Sequence, residues 1–368
     1  MSDLKQQLDA EARAFEIAPD VFGRVVARAG RRARRRRIEG LVVGAAVGLA
    51  GVTAGWLAFR PAHRALDVGA SSPAPGPLVG EIVLAGATTD GPNQIAQLMV
   101  MDPGDTVGRV LSASPYPQWD PAVSPDGNEI AYRGYFGPEE GDYDLYVMQA
   151  DGAGVVRLTH GALAVGPAWS PDGSQIAFGS SGNGATPGAF VGRAFIDVID
   201  ADGSGLHAVT DPPGSSEDSW PTWSPDGSEL AFVRTSDDAG SQIFTTPVGG
   251  TAATRLSSSP GDKSHPSWSP DGSAIVFQAT EHGSSQILAI PAAGGDPTRL
   301  TQASGNSTNP VWIDGGRRIA FVYQSGSTIE LRTMSADGSD VVVVASSDQP
   351  PLAGTQGSQF APAFDWRT

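Results

Sequence analysis

From about residue 80 to the carboxyl end, apolar and polar positions alternate in short runs, and the runs return as one phrase. Ser174-Gln175-Ile176-Ala177-Phe178 alternates as a half-buried strand does, and it follows the tetrad Ser170-Pro171-Asp172-Gly173. The full phrase, PAWSPDGSQIAF at 167–178, recurs as PTWSPDGSELAF at 221–232 and PSWSPDGSAIVF at 266–277. Variants stand at 121–132 (PAVSPDGNEIAY) and 310–321 (PVWIDGGRRIAF), and a cut-off copy, PAFDW, at 362–366. The lead prolines, Pro121, Pro167, Pro221, Pro266, Pro310 and Pro362, lie 46, 54, 45, 44 and 52 residues apart. A period of roughly 40–50 residues predicts the blades of a propeller.

Each unit predicts four antiparallel strands. A short apolar strand leads into the Ser-Pro-Asp-Gly turn, where proline presets φ, aspartate bonds the local backbone and glycine accepts a positive φ. Asp172, Asp226 and Asp271 are therefore turn residues rather than a catalytic array. A second hairpin turn follows at Asp151-Gly152, Asp202-Gly203, Gly249-Gly250, Gly294-Gly295 and Asp337-Gly338. Outer strands then end at Thr159, Thr210, Ser257 and Thr301. Trp169, Trp223, Trp268 and Trp312 are the wedges expected between neighbouring sheets. The last unit has only its first strand, Ala361–Trp366, and the domain opens with the missing three, Glu81–Ala85, Gln97–Met101 and Arg109–Ser112. These join as a composite blade from the two ends of the chain, giving an all-β, six-bladed propeller over 80–368.

The W-S-P-D-G-x-x-I-A-F phrase resembles the TolB-type six-bladed β-propeller repeat, and is similar to repeats in prolyl-oligopeptidase-like and tricorn-like propellers. Val123 stands where tryptophan is usual, and Ile313-Asp314-Gly315 replaces Ser-Pro-Asp. The amino-terminal α/β domain of TolB and the hydrolase domain of the peptidases have no counterpart in these residues.

A different hydropathy pattern precedes the repeats. Leu41–Phe59 is a run of 19 uncharged residues, long enough to span a bilayer as a helix. Six arginines within 31–37 flank it on one side, so the positive-inside rule puts the amino terminus in the cytoplasm and the propeller outside. A cleaved signal peptide suits a 37-residue amino-terminal region less well. The expected organisation is a cytoplasmic basic segment at 1–37, a transmembrane helix at 38–59, a flexible Pro/Ala/Ser/Gly stalk at 60–79 and the propeller at 80–368. Gly40, Gly44 and Gly48 form a G-x-x-x-G-x-x-x-G face of the kind that pairs helices, which leaves open a homodimer, although a glycine-rich composition also accounts for the spacing. Leu4, Leu8, Phe15, Phe22, Val25 and Val26 predict a short cytoplasmic helical segment. That layout resembles the cytoplasmic stubs of anti-sigma-like membrane proteins, without their zinc-binding His-Cys-Cys set.

Charge narrows the partners. Residues 1–37 carry net +5, so the rest of a chain with net charge −16 carries −21. An acidic propeller is a poor ligand for nucleic acid and favours cationic partners. With no cysteine, there is no disulfide, thiolate metal site or cysteine nucleophile.

The residues just before each first strand are expected at the axial mouth: Trp119, Asp120, Asp218, Trp220, Lys263, His265, Asn309 and Gln359. This mixture suits a polar small molecule, a peptide or a glycan, although polar residues also simply solvate a channel mouth. Asp120 and Asp218 with Asn309 offer the oxygen ligands a Ca2+ ion takes, and resemblance to TolB-type propellers rather than spacing suggests it; no other metal or cofactor is expected. No G-x-S-x-G, H-E-x-x-H, P-loop or dinucleotide motif is present, so the chain reads as a non-enzyme. The expected function is a membrane-anchored, extracytoplasmic module that binds a protein or ligand in the bacterial cell envelope. The alternatives are a one-pass signalling protein with residues 1–37 as output, and a glycan- or peptide-acting enzyme using the funnel.

Overall fold

The computed structural model describes residues 81–87, 96–103, 108–111, 114–135, 143–182, 190–250, 252–302, 304–326 and 328–347. They form six antiparallel sheets, five of four strands and one of three. Blade 1 comprises Ile82–Ala87, Ala96–Met101 and Arg109–Val110, and blade 2 Gln118–Val123, Glu129–Tyr135, Tyr143–Gln149 and Val156–Arg157. Blade 3 comprises Val165–Trp169, Gln175–Gly182, Phe190–Asp200 and His207–Ala208, and blade 4 Glu217–Trp223, Glu229–Ser236, Gly240–Pro247 and Thr254–Arg255. Blade 5 comprises Asp262–Trp268, Ala274–Glu281, Ser284–Pro291 and Thr298–Arg299, and blade 6 Asn306–Ile313, Arg318–Ser325, Thr328–Ser335 and Val342–Ser347. Among the described residues there is no α-helix, and none long and apolar enough to cross a membrane.

The two-residue period of the second strands builds the core. Successive side chains point to opposite faces of a sheet. Ile176 and Phe178 accordingly pack on blade 2, and Ala177 between them packs on blade 4. Leu230 and Phe232 face blade 3 while Ala231 faces blade 5, and Ile275 and Phe277 face blade 4 while Val276 faces blade 6. The larger side chains thus meet the preceding blade and the intervening residue the following one. The ring closes where Val322, Ile329, Leu331 and Ala345 of blade 6 pack on Ile82, Leu84, Met99 and Met101 of blade 1. Propeller closure is therefore visible in the apolar seam itself.

The tryptophans wedge as expected. Trp169, Trp223 and Trp268 are buried at the seams between blades 2 and 3, 3 and 4, and 4 and 5. Two of them also bond across the seam: Trp169 Nε1 donates to the Ala122 carbonyl and Trp223 Nε1 to that of Ala168, each at 3.0 Å. Trp312 is half-buried against the seam of blades 5 and 6, and Val123, in the place of a tryptophan, against that of blades 1 and 2.

Four turns share one hydrogen-bond scheme. Ser170 Oγ donates to Asp172 Oδ1 at 2.6 Å and accepts from Gln175 N at 2.9 Å, while Ser174 N donates to Asp172 Oδ1 at 3.0 Å. The Ser124/Asp126, Ser224/Asp226 and Ser269/Asp271 turns repeat it. These serine and backbone donors pull the carboxyls of Asp172, Asp226 and Asp271 down to about 2. Each turn also leans on the next. An added Cβ on Gly173 would sit 3.7 Å from Pro125, on Gly227 3.7 Å from Pro171, and on Gly272 3.4 Å from Pro225. In blade 6, Asp314–Gly316 form a single 3-10 turn instead.

The outer strands are fastened by their terminal hydroxyls. Thr159, Thr210, Ser257 and Thr301 each accept the backbone N–H of the third strand, from Leu145, Ile196, Ile243 and Ile287, at 2.9 Å. Thr159, Ser257 and Thr301 donate in turn to Asp144, Gln242 and Gln286 at 2.8 Å.

The residues expected as a cytoplasmic segment (1–37), a transmembrane helix (38–59), a stalk (60–79) and a closing strand (361–366) lie outside the described residues.

Candidate functional site

The innermost strands of blades 2 to 6 break register at one shared place: between Trp119 and Ala122, Val165 and Ala168, Ser219 and Thr222, Ser264 and Ser267, and Thr308 and Val311. Each break holds a residue followed by proline. These strands are sheet edges, where a residue without an N–H is tolerated, and a bulge takes up the extra residue. The residue before the proline adopts a left-handed conformation in all five blades: Asp120 (φ 51°), Gly166 (56°), Trp220 (53°), His265 (50°) and Asn309 (52°). For the four that are not glycine this costs on the order of 1–3 kcal/mol each. Strain recurs at one level of the ring, and the bulged residues and their prolines line a cavity of about 240 Å³.

Four of the expected residues, Asp120, Trp220, His265 and Asn309, line that cavity. The rings of Trp220 and His265 lie against each other at a 40° tilt with centroids 4.1 Å apart. Gly166 explains where Trp220 goes: a Cβ on Gly166 would lie 2.5 Å from Trp220 Cε3, so the indole fills the space that a side chain there would need. Both ring nitrogens of His265 are buried and lack hydrogen-bond partners among the described residues. Burial pushes its imidazole down to about 4, so it is neutral at pH 7. Asp120 is 3 % exposed, and Arg133 Nε stands 3.2 Å from its Oδ2. Neither carboxylate oxygen receives a hydrogen bond from the described residues. The Arg133 guanidinium lies instead over the faces of Trp119 and Tyr143, 5.2 and 5.3 Å from their centroids.

Three expected residues lie elsewhere. Asp218 is fully buried and held by a two-pronged pair, Arg234 Nε donating to Oδ1 at 2.6 Å and Nη2 to Oδ2 at 2.7 Å. Burial raises its carboxyl, and hydrogen bonds from Arg234 and Thr210 oppose that rise. Lys263 is 1 % exposed, and its Nζ donates to the carbonyls of Ser259 (2.9 Å), Pro260 (2.5 Å) and Gly261 (2.5 Å), tying down the loop before its strand. Burial lowers its ammonium, against the opposing charges of Glu281 and Asp262. Trp119 packs edge-on against Tyr143, 5.3 Å between centroids. The physical reason is alternation: Asp218 and Lys263 stand three residues before their prolines and turn into the sheet stack, whereas the bulged residue turns to the axis. Asp120, Asp218 and Asn309 are therefore not gathered as one oxygen-ligand set, and no group of three His, Asp or Glu among the described residues is placed to hold a metal. Gln359 lies outside the described residues.

Sequence reasoning missed Gly166, Arg133 and Arg234. A glycine before a phrase-leading proline, where the other blades carry a side chain, was the available signal for the first.

Comparison with known proteins agrees with this architecture. Residues 142–362 match the family model described as the TolB beta propeller domain. The uncharacterized protein Atu1656 of Agrobacterium fabrum is 35 % identical over 111 residues, 30 % of this chain and 33 % of that protein. The uncharacterized peptidase YuxL of Bacillus subtilis is 32 % identical over 116 residues, 30 % of this chain and 16 % of the relative. The matches thus span a third or less of those relatives' length. The crystal structure of TolB from Acinetobacter baumannii superposes with a TM-score of 0.59 at 23 % identity, covering 74 % of this chain and 65 % of that one; at that identity it speaks for the fold alone.

Proposed function

We propose, from the premise that the chain belongs to the TolB beta propeller domain family, that it is a membrane-anchored, extracytoplasmic binding module of the cell envelope whose axial cavity receives part of a partner. The observation that carries this reading is the contrast between frame and bore. Turns, seams and hydroxyl bonds repeat from blade to blade, yet the five residues that meet at the cavity are Asp, Gly, Trp, His and Asn. A structural channel needs no such divergence, whereas a recognition surface does. The strained backbone at those positions points the same way. The anchor rests on Leu41–Phe59 and its flanking arginines, and pairing through Gly40, Gly44 and Gly48 would place two propellers side by side.

Two experiments test it. With a photo-crosslinking amino acid in place of Trp220, the full-length chain in cells should yield a discrete adduct with an envelope component. A probe at the outer-strand residue Val156 should not give that adduct. Adducts of equal yield from both positions, or none from Trp220, would remove the cavity from the function. A reporter active only outside the cytoplasm, fused after residue 79, should be active; an inactive fusion overturns the topology.

A further inference from the structure

We infer that the group received by the axial cavity is a single cationic end of a peptide side chain, ammonium or guanidinium, and that Asp120 anchors it. This rests on the binding-module reading and adds the chemistry of the ligand. Asp120 is 97 % buried, lines the cavity, and both its oxygens lack hydrogen-bond donors among the described residues. A buried carboxylate left without donors is costly unless something supplies them. Arg133 balances its charge from 3.2 Å without donating a hydrogen bond, because the guanidinium is committed to the faces of Trp119 and Tyr143. Charge is compensated there while acceptor capacity stays open.

The side-chain donors of the lining, on Trp220, Thr222, Ser267 and Asn309, leave both Asp120 oxygens unbonded. Five prolines, at 121, 167, 221, 266 and 310, remove five backbone N–H groups from the inner strands that surround the cavity. His265 adds an acceptor, since a neutral imidazole keeps one lone pair and its nitrogens have no partner among the described residues. A buried carboxylate with both oxygens open complements a group that only donates, and ammonium and guanidinium are such groups. At about 240 Å³ the cavity accommodates the end of one side chain and no folded element. The −21 charge of residues 38–368 draws cations toward it.

The test titrates the full-length chain with n-butylammonium and n-butylguanidinium against n-butanol and glucose, following the His265 imidazole proton by NMR. The cations should shift the His265 signal saturably, and n-butanol and glucose should bind at least about ten-fold more weakly, the scale of one charge-assisted hydrogen bond. Asp120→Asn, isosteric but uncharged, should lose the cation response by a similar factor. Asp218→Asn, which removes an equally buried charge that lies outside the cavity, should keep it. Equal binding of n-butanol or glucose would overturn the cation assignment and leave the cavity as a binding site. A His265 signal indifferent to every probe would overturn the cavity reading as well. Should Asp120→Asn fail to fold, the comparison of charged and uncharged probes on the unmodified chain still decides.

Discussion

Asp120 and Asp218 are both buried aspartates next to an arginine of the neighbouring strand, on the innermost strands of blades 2 and 4. At Asp218 the fork of Arg234 meets both oxygens at 2.6 and 2.7 Å, and the pair belongs to the sheet. At Asp120 the arginine comes within 3.2 Å of one oxygen, donates to neither, and lies against two rings instead. The difference comes from two places in the strand. Asp218 is three residues before its proline and directly opposite Arg234; Asp120 is immediately before its proline, inside the bulge, where Trp119 has taken the position opposite Arg133. A slip of this size decides whether a carboxylate is spent on the fold or left open to a ligand.

The largest way to break the comparison is at the closed pair. Arg234→Ala leaves Asp218 buried without its counter-charge and is expected to cost about 3–5 kcal/mol in urea unfolding. Asp120→Asn leaves the buried Arg133 guanidinium with only the faces of Trp119 and Tyr143, and is expected to cost less by the same measurement, about 2–3 kcal/mol, because no hydrogen bond is lost with the charge. Equal costs would show the two pairs to be alike. Next comes Gly166→Ala, whose Cβ meets the Trp220 indole in a left-handed conformation. It should destabilise by about 1–3 kcal/mol and alter the environment of Trp220, seen as a shift of the His265 resonance that packs on it. Further effects are in pH. The folded value of His265 is lowered to about 4 from 6.5, so its contribution is present above pH 6.5 and is lost as pH falls through about 4. The turn aspartates Asp172, Asp226 and Asp271 fall from 3.8 to about 2, so theirs is present above about pH 4 and lost toward pH 2. His265→Gln should flatten only the upper window in an acid-unfolding curve, and Ser170→Ala should soften only the lower one.

Much of the frame was legible because it repeats. The Ser-Pro-Asp-Gly turns, the tryptophan wedges and the terminal hydroxyls Thr159, Thr210, Ser257 and Thr301 each depend on local chemistry that a phrase announces. The cavity was legible only in part, and the bulge is the reason. Counting outward from the Ser224–Gly227 turn by the register of Trp223 and Leu230 sets Asp218 opposite Thr235; the register shift sets it opposite Arg234. The same counting in blade 2 sets Asp120 opposite Arg133, where the structure places Trp119. A bulge common to five strands leaves only a residue before a proline in the sequence, which reads equally well as an ordinary strand start. The three residues before each proline therefore looked like one exposed group, while alternation and the bulge divide them between sheet stack and axis.

The left-handed residue before each inner proline has a consequence for what such a chain can become. Backbone shape there is already set by the bulge and by proline, so changing the side chain alters the inside of the ring without rewriting the scaffold that presents it. Four such places, carried by four separate strands, act as a short alphabet on a constant page, while the fifth, Gly166, gives its space to the Trp220 indole. Descendants of one ancestor could acquire new addressees one letter at a time, and an engineer could do the same with a library of four codons.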